Sequence, residues 1–184
     1  IIVMKYIEGQ TLRERVRTHG TMTEQEAMHI AIEVLQALVY LHSQNKVHRD
    51  IKPSNIIIDT DGNCHIIDLG IHKDLDLQNH FTRVHTHTRL GTKPYMAIEQ
   101  VENNAVDNRT DICGVGALLF FLCVGKDPKP VDVYGPKTTQ TIDMALQQVN
   151  PHLVRIQRTS VQLDKEKRYP TAQAMIQELQ KAIQ

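Results

Sequence analysis

No charge of one sign dominates this sequence: twenty-one lysines and arginines stand against twenty-one aspartates and glutamates. Nothing global therefore argues for nucleic acid or an anionic membrane as a partner. No apolar run approaches the ~20 residues that a membrane-spanning helix needs, and no signal peptide opens the chain. Cysteine is scarce. Cys64, Cys113 and Cys123 each lie among apolar neighbours, and an odd count in such settings predicts reduced, buried thiols in a cytoplasmic protein. Internal repeats, low-complexity tracts and a second domain are also absent. What remains is ordinary for one globular domain: 184 residues, 41% hydrophobic and 23% charged, with about 70% of the unfolded surface buried if the chain is compact.

One run is dense in chemistry. Val47-His48-Arg49-Asp50-Ile51-Lys52-Pro53-Ser54-Asn55 packs polar and charged groups between two apolar segments. Behind it come the apolar Ile56-Ile57-Ile58, the turn-forming Asp59-Thr60-Asp61-Gly62-Asn63, and Cys64-His65-Ile66-Ile67-Asp68-Leu69-Gly70. This order predicts a loop, a short strand, an Asp-Gly hairpin turn and a second short strand ending in an acid and a glycine. A hairpin brings its ends together, so Asp50, Asn55 and Asp68 are expected to converge at one mouth. Mg²⁺ takes oxygen ligands, which Asn55 and Asp68 offer, and shares its shell with substrate phosphates. Asp50 would then be left to orient a hydroxyl and accept its proton, with Lys52 offsetting charge on a transferred group.

At the level of residues and spacing, His48 to Asn55 resembles the catalytic loop of eukaryotic-type serine/threonine protein kinases. Asp68-Leu69-Gly70 resembles their metal-binding Asp-Phe-Gly triplet with leucine in the middle. The resemblance implies a mainly α, kinase-like large lobe with a small β-hairpin at the catalytic loop. It implies a small β-rich lobe missing apart from one strand. On this reading residues 1–9 hold the last small-lobe strand and the hinge, 47–70 the catalytic loop and metal-binding hairpin, and 71–99 the activation segment, within a single catalytic domain spanning 1–184. Asp50, Lys52, Asn55 and Thr92 are the implied catalytic residues, and Asn55 and Asp68 the implied metal ligands. Met4, Lys5, Tyr6, Ile7, Ile57 and Asp68 are implied to bind the nucleotide. The implied ligands are ATP and Mg²⁺, with Mn²⁺ able to replace it, and the implied partners are protein substrates bearing serine or threonine.

The flanking segments fit the same frame. Thr11 to Thr18 is a polar helix candidate. Thr23-Glu24-Gln25-Glu26 is a capping box, followed at helical spacing by Ala27, Ile30, Ala31, Val34, Leu35, Leu38 and Leu41, one apolar face that is core. Residues 71–89 lack periodicity and read as a long functional loop. His80, His85 and His87 there invite a zinc reading, against which stands the lack of cysteine in the loop. As an activation segment, it offers Thr88 and Thr86 as regulatory phosphorylation sites, with Arg49 as partner for the added phosphate. Leu90 to Glu99 resembles the segment that seats the substrate peptide and ends in Ala-Pro-Glu, here with Ile98 in place of proline.

From Asp111 an almost wholly apolar stretch runs to Val124 and Gly125, a helix that must be buried. Asp111 is either its ordinary cap or, as the resemblance implies, the acceptor for backbone amides of the His48-Arg49 turn. Further helices are expected within 136–148, from Asn150-Pro151 through Leu153 and Ile156, and from Thr171 with Ala172, Met175, Ile176 and Leu179 inward. The resemblance also pairs Arg168 with Glu99. No glycine-rich loop or strand lysine is found in the chain, so the sequence reads as the large lobe of a longer kinase. The alternative is a non-catalytic, pseudokinase-like docking module or an inert fragment.

Overall fold

A computed structural model describes residues 6–68, 93–102, 104–128 and 149–183. The strand expected at Ile1–Met4, the loop 71–89 and the helix expected within 136–148 lie outside the described residues. In chain order the elements are strand β1 (Gly9–Thr11), helix α1 (Leu12–His19), helix α2 (Glu24–Ser43), strands β2 (Ile56–Asp59) and β3 (Cys64–Ile66), the short helix α3 (Ile98–Val101), and helices α4 (Asn108–Val124), α5 (Pro151–Ser160) and α6 (Ala172–Ile183). The architecture is mainly helical, as expected.

Helix α2 begins where its sequence signature says. The Thr23 hydroxyl accepts from the Glu26 amide at 3.3 Å while the Glu26 carboxylate accepts from the Thr23 amide at 2.8 Å, so each satisfies a donor the helix end leaves open. The expected inward face is buried except for Leu41, which is half-buried, and Met28 joins it. The stripe is wider than the sequence period implied because α2 packs against both α4 and α6. Helix α1 carries a second capping box, Thr11 with Glu14.

Helix α4 is the axis of the core, with Thr110 through Leu122 all buried. Ile112, Leu118, Leu119 and Leu122 are each at most 1% exposed, and burying one such side chain contributes roughly 1.5–3 kcal/mol. Its start differs from the expectation. Asp107 is the N-cap, accepting from the Arg109 amide at 2.9 Å, and Gly125 ends the helix in the left-handed region at φ 76°. Asp111 thus lies one turn inside the helix and is not its cap, which leaves its carboxylate available for other work. The thiols also depart from the expectation: Cys113 is buried, but Cys64 and Cys123 are only half-buried.

The sheet has three strands rather than a lone hairpin, in the order β1-β2-β3, all antiparallel. Strand β1 went unforeseen because Gly9-Gln10-Thr11 carries no apolar alternation. Its approach to β2 depends on Gly9, where a β-carbon would stand 2.2 Å from the Ile58 carbonyl oxygen. Strand β3 ends at Ile66, earlier than expected, and Asp68 beyond it takes a left-handed φ of 55°.

Candidate active site

The loop from Val47 to Lys52 has no regular secondary structure and closes in a 3-10 turn at Pro53–Asn55. What fixes it is α4. Ile51 is 2% exposed and packs where Gly114 leaves room; a β-carbon on Gly114 would come within 2.9 Å of the Ile51 β-carbon. One turn earlier the buried Asp111 carboxylate accepts from the backbone amides of His48 (2.9 Å) and Arg49 (2.7 Å), and it contacts His42 Nε2 at 2.8 Å. Hydrogen bonds to a charged acceptor are the strong ones, so two of them tie this loop to α4 while the third joins α4 to the end of α2.

Arg49 has φ 69°, a conformation that costs a non-glycine residue roughly 1–2 kcal/mol. That turn carries the chain so that Asp50 comes directly after it. Lys52 Nζ donates to Asp50 Oδ2 at 2.6 Å and Asn55 Nδ2 donates to the same oxygen at 2.9 Å, leaving Oδ1 without a partner among the described residues. Asn55 Nδ2 also donates to the Asp50 carbonyl at 2.9 Å. Two acceptors on its nitrogen fix the orientation of the Asn55 amide and turn its Oδ1 away from Asp50.

Across the hairpin, the Ile67 amide donates to the Asn55 carbonyl at 2.8 Å. Asp68, the next residue, is exposed. Asn55 thus holds Asp50 through its side chain, and through its backbone carbonyl it holds Ile67, the residue before Asp68. One amide oxygen and one carboxylate suit Mg²⁺, which keeps positions open for phosphate oxygens. Among the described residues no cluster of three or more histidine, cysteine or acidic side chains could hold a metal by itself.

His48 is 1% exposed and its Nδ1 accepts from the Asp50 amide at 3.2 Å, so the proton of the neutral ring lies on Nε2. Burial pushes its pKa below 6.5, outweighing the opposing pull of Asp111 and Asp50 and the nearby Ile67 backbone.

The segment after the undescribed stretch is anchored at two places. Glu99 and Arg168, each 4% exposed, form a two-pronged ion pair at 2.7 and 2.9 Å, with Thr110 donating to Glu99 at 2.8 Å. Burial favours the neutral carboxyl, but Arg168 and Thr110 more than offset it and hold Glu99 below its usual range. Tyr95, 4% exposed, donates to Asp127, which also pairs with Arg13 at 2.7 Å; Arg13 lies over the Phe121 ring at 5.1 Å.

A model of the protein kinase domain family matches residues 1–183. The chain belongs to the protein kinase family. Among curated relatives, this kinase chain is 38% identical to the serine/threonine-protein kinase PrkC of Bacillus subtilis over 69% of its own length and 19% of that protein. It is 35% identical to a probable serine/threonine-protein kinase PknB of Bifidobacterium longum over 69% of the chain and 18% of the relative. Against a probable serine/threonine-protein kinase of Clostridium perfringens it is 31% identical over 98% of the chain and 27% of the relative. It thus spans about a quarter or less of the length of these curated kinases.

Of the residues singled out in the kinase sequence, Asp50, Lys52 and Asn55 stand in mutual contact, with His48, Arg49 and Asp111 directly behind them. Tyr6 is 84% exposed, and Ile7 and Ile57 are half-buried. Met4, Lys5, Thr86, Thr88, Thr92, the Leu69-Gly70 pair and the three histidines of the zinc reading lie outside the described residues. Sequence reasoning overlooked His42, Thr110 and Gln100. His42 lies in the last turn of α2 directly after the last apolar position, and only its contact with Asp111, 69 residues away, reveals it. Gln100 joins the Ala97 amide to the Arg49 carbonyl.

Proposed function

We propose that this chain is the large lobe of a serine/threonine protein kinase that transfers the γ-phosphoryl group of Mg·ATP to protein hydroxyls, with residues 47–70 as its catalytic core. The observation that carries the reading is the carboxylate of Asp50, clamped through Oδ2 by Lys52 and Asn55 while Oδ1 has no partner among the described residues. Bound Mg·ATP would supply the electrophilic γ-phosphorus and ADP as leaving group. Asp50 orients the acceptor hydroxyl through Oδ1 and takes its proton as the new P–O bond forms. Lys52, already within reach, offsets negative charge on the transferred group. Asn55 Oδ1 and Asp68 hold the metal, and Ile57 with residues 4–7 forms the large-lobe side of the adenine site. Thr92 supports Asp50 and Lys52 from the peptide-seating segment. A small lobe bearing a glycine-rich loop and a strand lysine is the implied partner that closes over the phosphates.

Arg49 Nε, buried and without a hydrogen-bond partner among the described residues, supports a regulatory role. An unpaired guanidinium nitrogen is costly to bury, and a phosphate on Thr88 or Thr86 would satisfy it. A purely docking role has less support, since the clamp on Asp50 serves no evident purpose in a surface that only binds.

The direct test is an assay of the natural protein carrying this sequence, with ATP labelled on the γ-phosphate and polypeptides presenting serine, threonine or tyrosine. Label should move to serine and threonine, only with Mg²⁺ or Mn²⁺ present. Metal-independent transfer, or none in a preparation that binds nucleotide, contradicts the reading.

A further inference from the structure

We infer that Gln100 is a positioning residue for Asp50, acting through the peptide group that joins Arg49 to it. This rests on the kinase reading. The Gln100 Nε2 donates to the Arg49 carbonyl at 2.8 Å and its Oε1 accepts from the Ala97 amide at 3.0 Å. The first partner can only accept and the second can only donate, so the amide has one possible orientation.

The Arg49–Asp50 peptide group is thereby gripped at both edges. Its carbonyl is held by Gln100, and its N–H donates to His48 Nδ1 at 3.2 Å. The preceding N–H, that of Arg49, is held by Asp111 at 2.7 Å. Arg49 needs such restraint because its φ of 69° is unfavourable for a side chain of its size. Without the grip on its carbonyl, the peptide plane can rotate toward a more relaxed conformation and carry the Asp50 carboxylate with it. Because Gln100 sits in α3, directly after the peptide-seating segment, the same side chain links that segment to the residue that accepts the hydroxyl proton. Misplacing a reacting group by about 1 Å can cost ~100-fold in rate.

Gln100→Glu is the informative variant. It keeps the size and the bond to Ala97 but sets a carboxylate oxygen against the Arg49 carbonyl. In the natural protein, kcat should fall about 10- to 100-fold while KM for ATP stays within about threefold and the thermal midpoint holds. Lowering the pH restores a donor by protonating the new carboxyl, whose pKa the facing carbonyl raises, so the ratio of variant to wild-type kcat should rise from about pH 8 to about pH 6. Gln100→Ala should lose activity similarly and show no such recovery. Independently of activity, hydrogen exchange at the Asp50 amide should quicken by about tenfold in Gln100→Ala, with the Arg49 amide unchanged.

If the wild type transfers no phosphate, the kinase reading fails, and the exchange measurement still decides whether Gln100 holds this peptide group. Unchanged exchange overturns the inference. So does kcat within twofold of wild type in both variants, or a loss that tracks a fall in thermal midpoint and shows no recovery in acid.

Discussion

Replacing Asp50 with asparagine lowers kcat for phosphate transfer by ~10²–10⁴ and leaves the thermal midpoint of the protein within a few degrees of wild type. The two halves of this outcome come from different features. The fold half comes from the clamp: Lys52 and Asn55 both donate to one oxygen of residue 50, and the amide oxygen of asparagine can accept from both. The loop's other anchors, Asp111 on the His48 and Arg49 amides and Ile51 against Gly114, do not involve this side chain. The rate half arises because an amide nitrogen in place of Oδ1 cannot take a proton from the acceptor hydroxyl. Steady-state kinetics on the natural protein, beside a thermal melt of the same preparation, separates the halves. Retained activity removes Asp50 from its role as base; lost activity with a lost fold shows that the clamp depends on the charge.

Breaking the Glu99–Arg168 pair should give the largest effect on stability. Arg168→Met leaves the Glu99 carboxylate buried with Thr110 as its remaining side-chain partner among the described residues, and stranding such a charge costs about 3–5 kcal/mol. At about 2–4 °C per kcal/mol for a domain of this size, the thermal midpoint drops by roughly 10 °C. Glu99→Leu is milder, because Arg168 still donates to the carbonyls of Gln162 at 2.7 Å, Arg109 at 3.2 Å and Leu163 at 3.3 Å. The double variant should recover part of the Arg168→Met loss, since it buries no unpaired carboxylate.

The pair also has a definite pH signature. A folded-state pKa held below 4.5 means that Glu99 contributes its full stabilisation above about pH 4.5 and loses it as pH falls through the depressed folded value. The gap in midpoint between wild type and Glu99→Leu should therefore be constant from neutral pH down to about 4.5 and close below it. A gap that widens in acid contradicts the assignment.

Much of the site was legible because its residues are adjacent in the chain. His48, Arg49, Asp50, Lys52 and Asn55 form one short motif, and the turn at Asp61-Gly62 predicts that Asp68 returns to Asn55. Helix α2 was legible for a different reason, since its capping box and its apolar period point the same way. The Glu99–Arg168 pair joins positions 69 residues apart, and only resemblance to the family suggested it.

What escaped notice depends on tertiary contact. Gly9–Thr11 has no strand pattern; it is a strand because β2 offers an edge and Gly9 lets the backbones close. The start of α4 was misplaced because Asn108, Arg109 and Thr110 are polar and break the apolar run that seemed to begin at Asp111, although they are as helical as the residues after them. His42 and Gln100 look like ordinary polar residues at a helix end and in a helix turn, and become meaningful only opposite Asp111 and the Arg49 carbonyl, 69 and 51 residues away.

The most direct measurement is an experimental structure of the natural protein with Mg²⁺ and a non-hydrolysable ATP analogue. The expected arrangement has a metal ion about 2.1 Å from both Asn55 Oδ1 and an Asp68 carboxylate oxygen, bridging to the phosphates, with Asp50 unliganded and its Oδ1 facing the γ-phosphate. A nucleotide bound away from the hairpin mouth, or a metal held by Asp50 and not by Asn55 and Asp68, contradicts it.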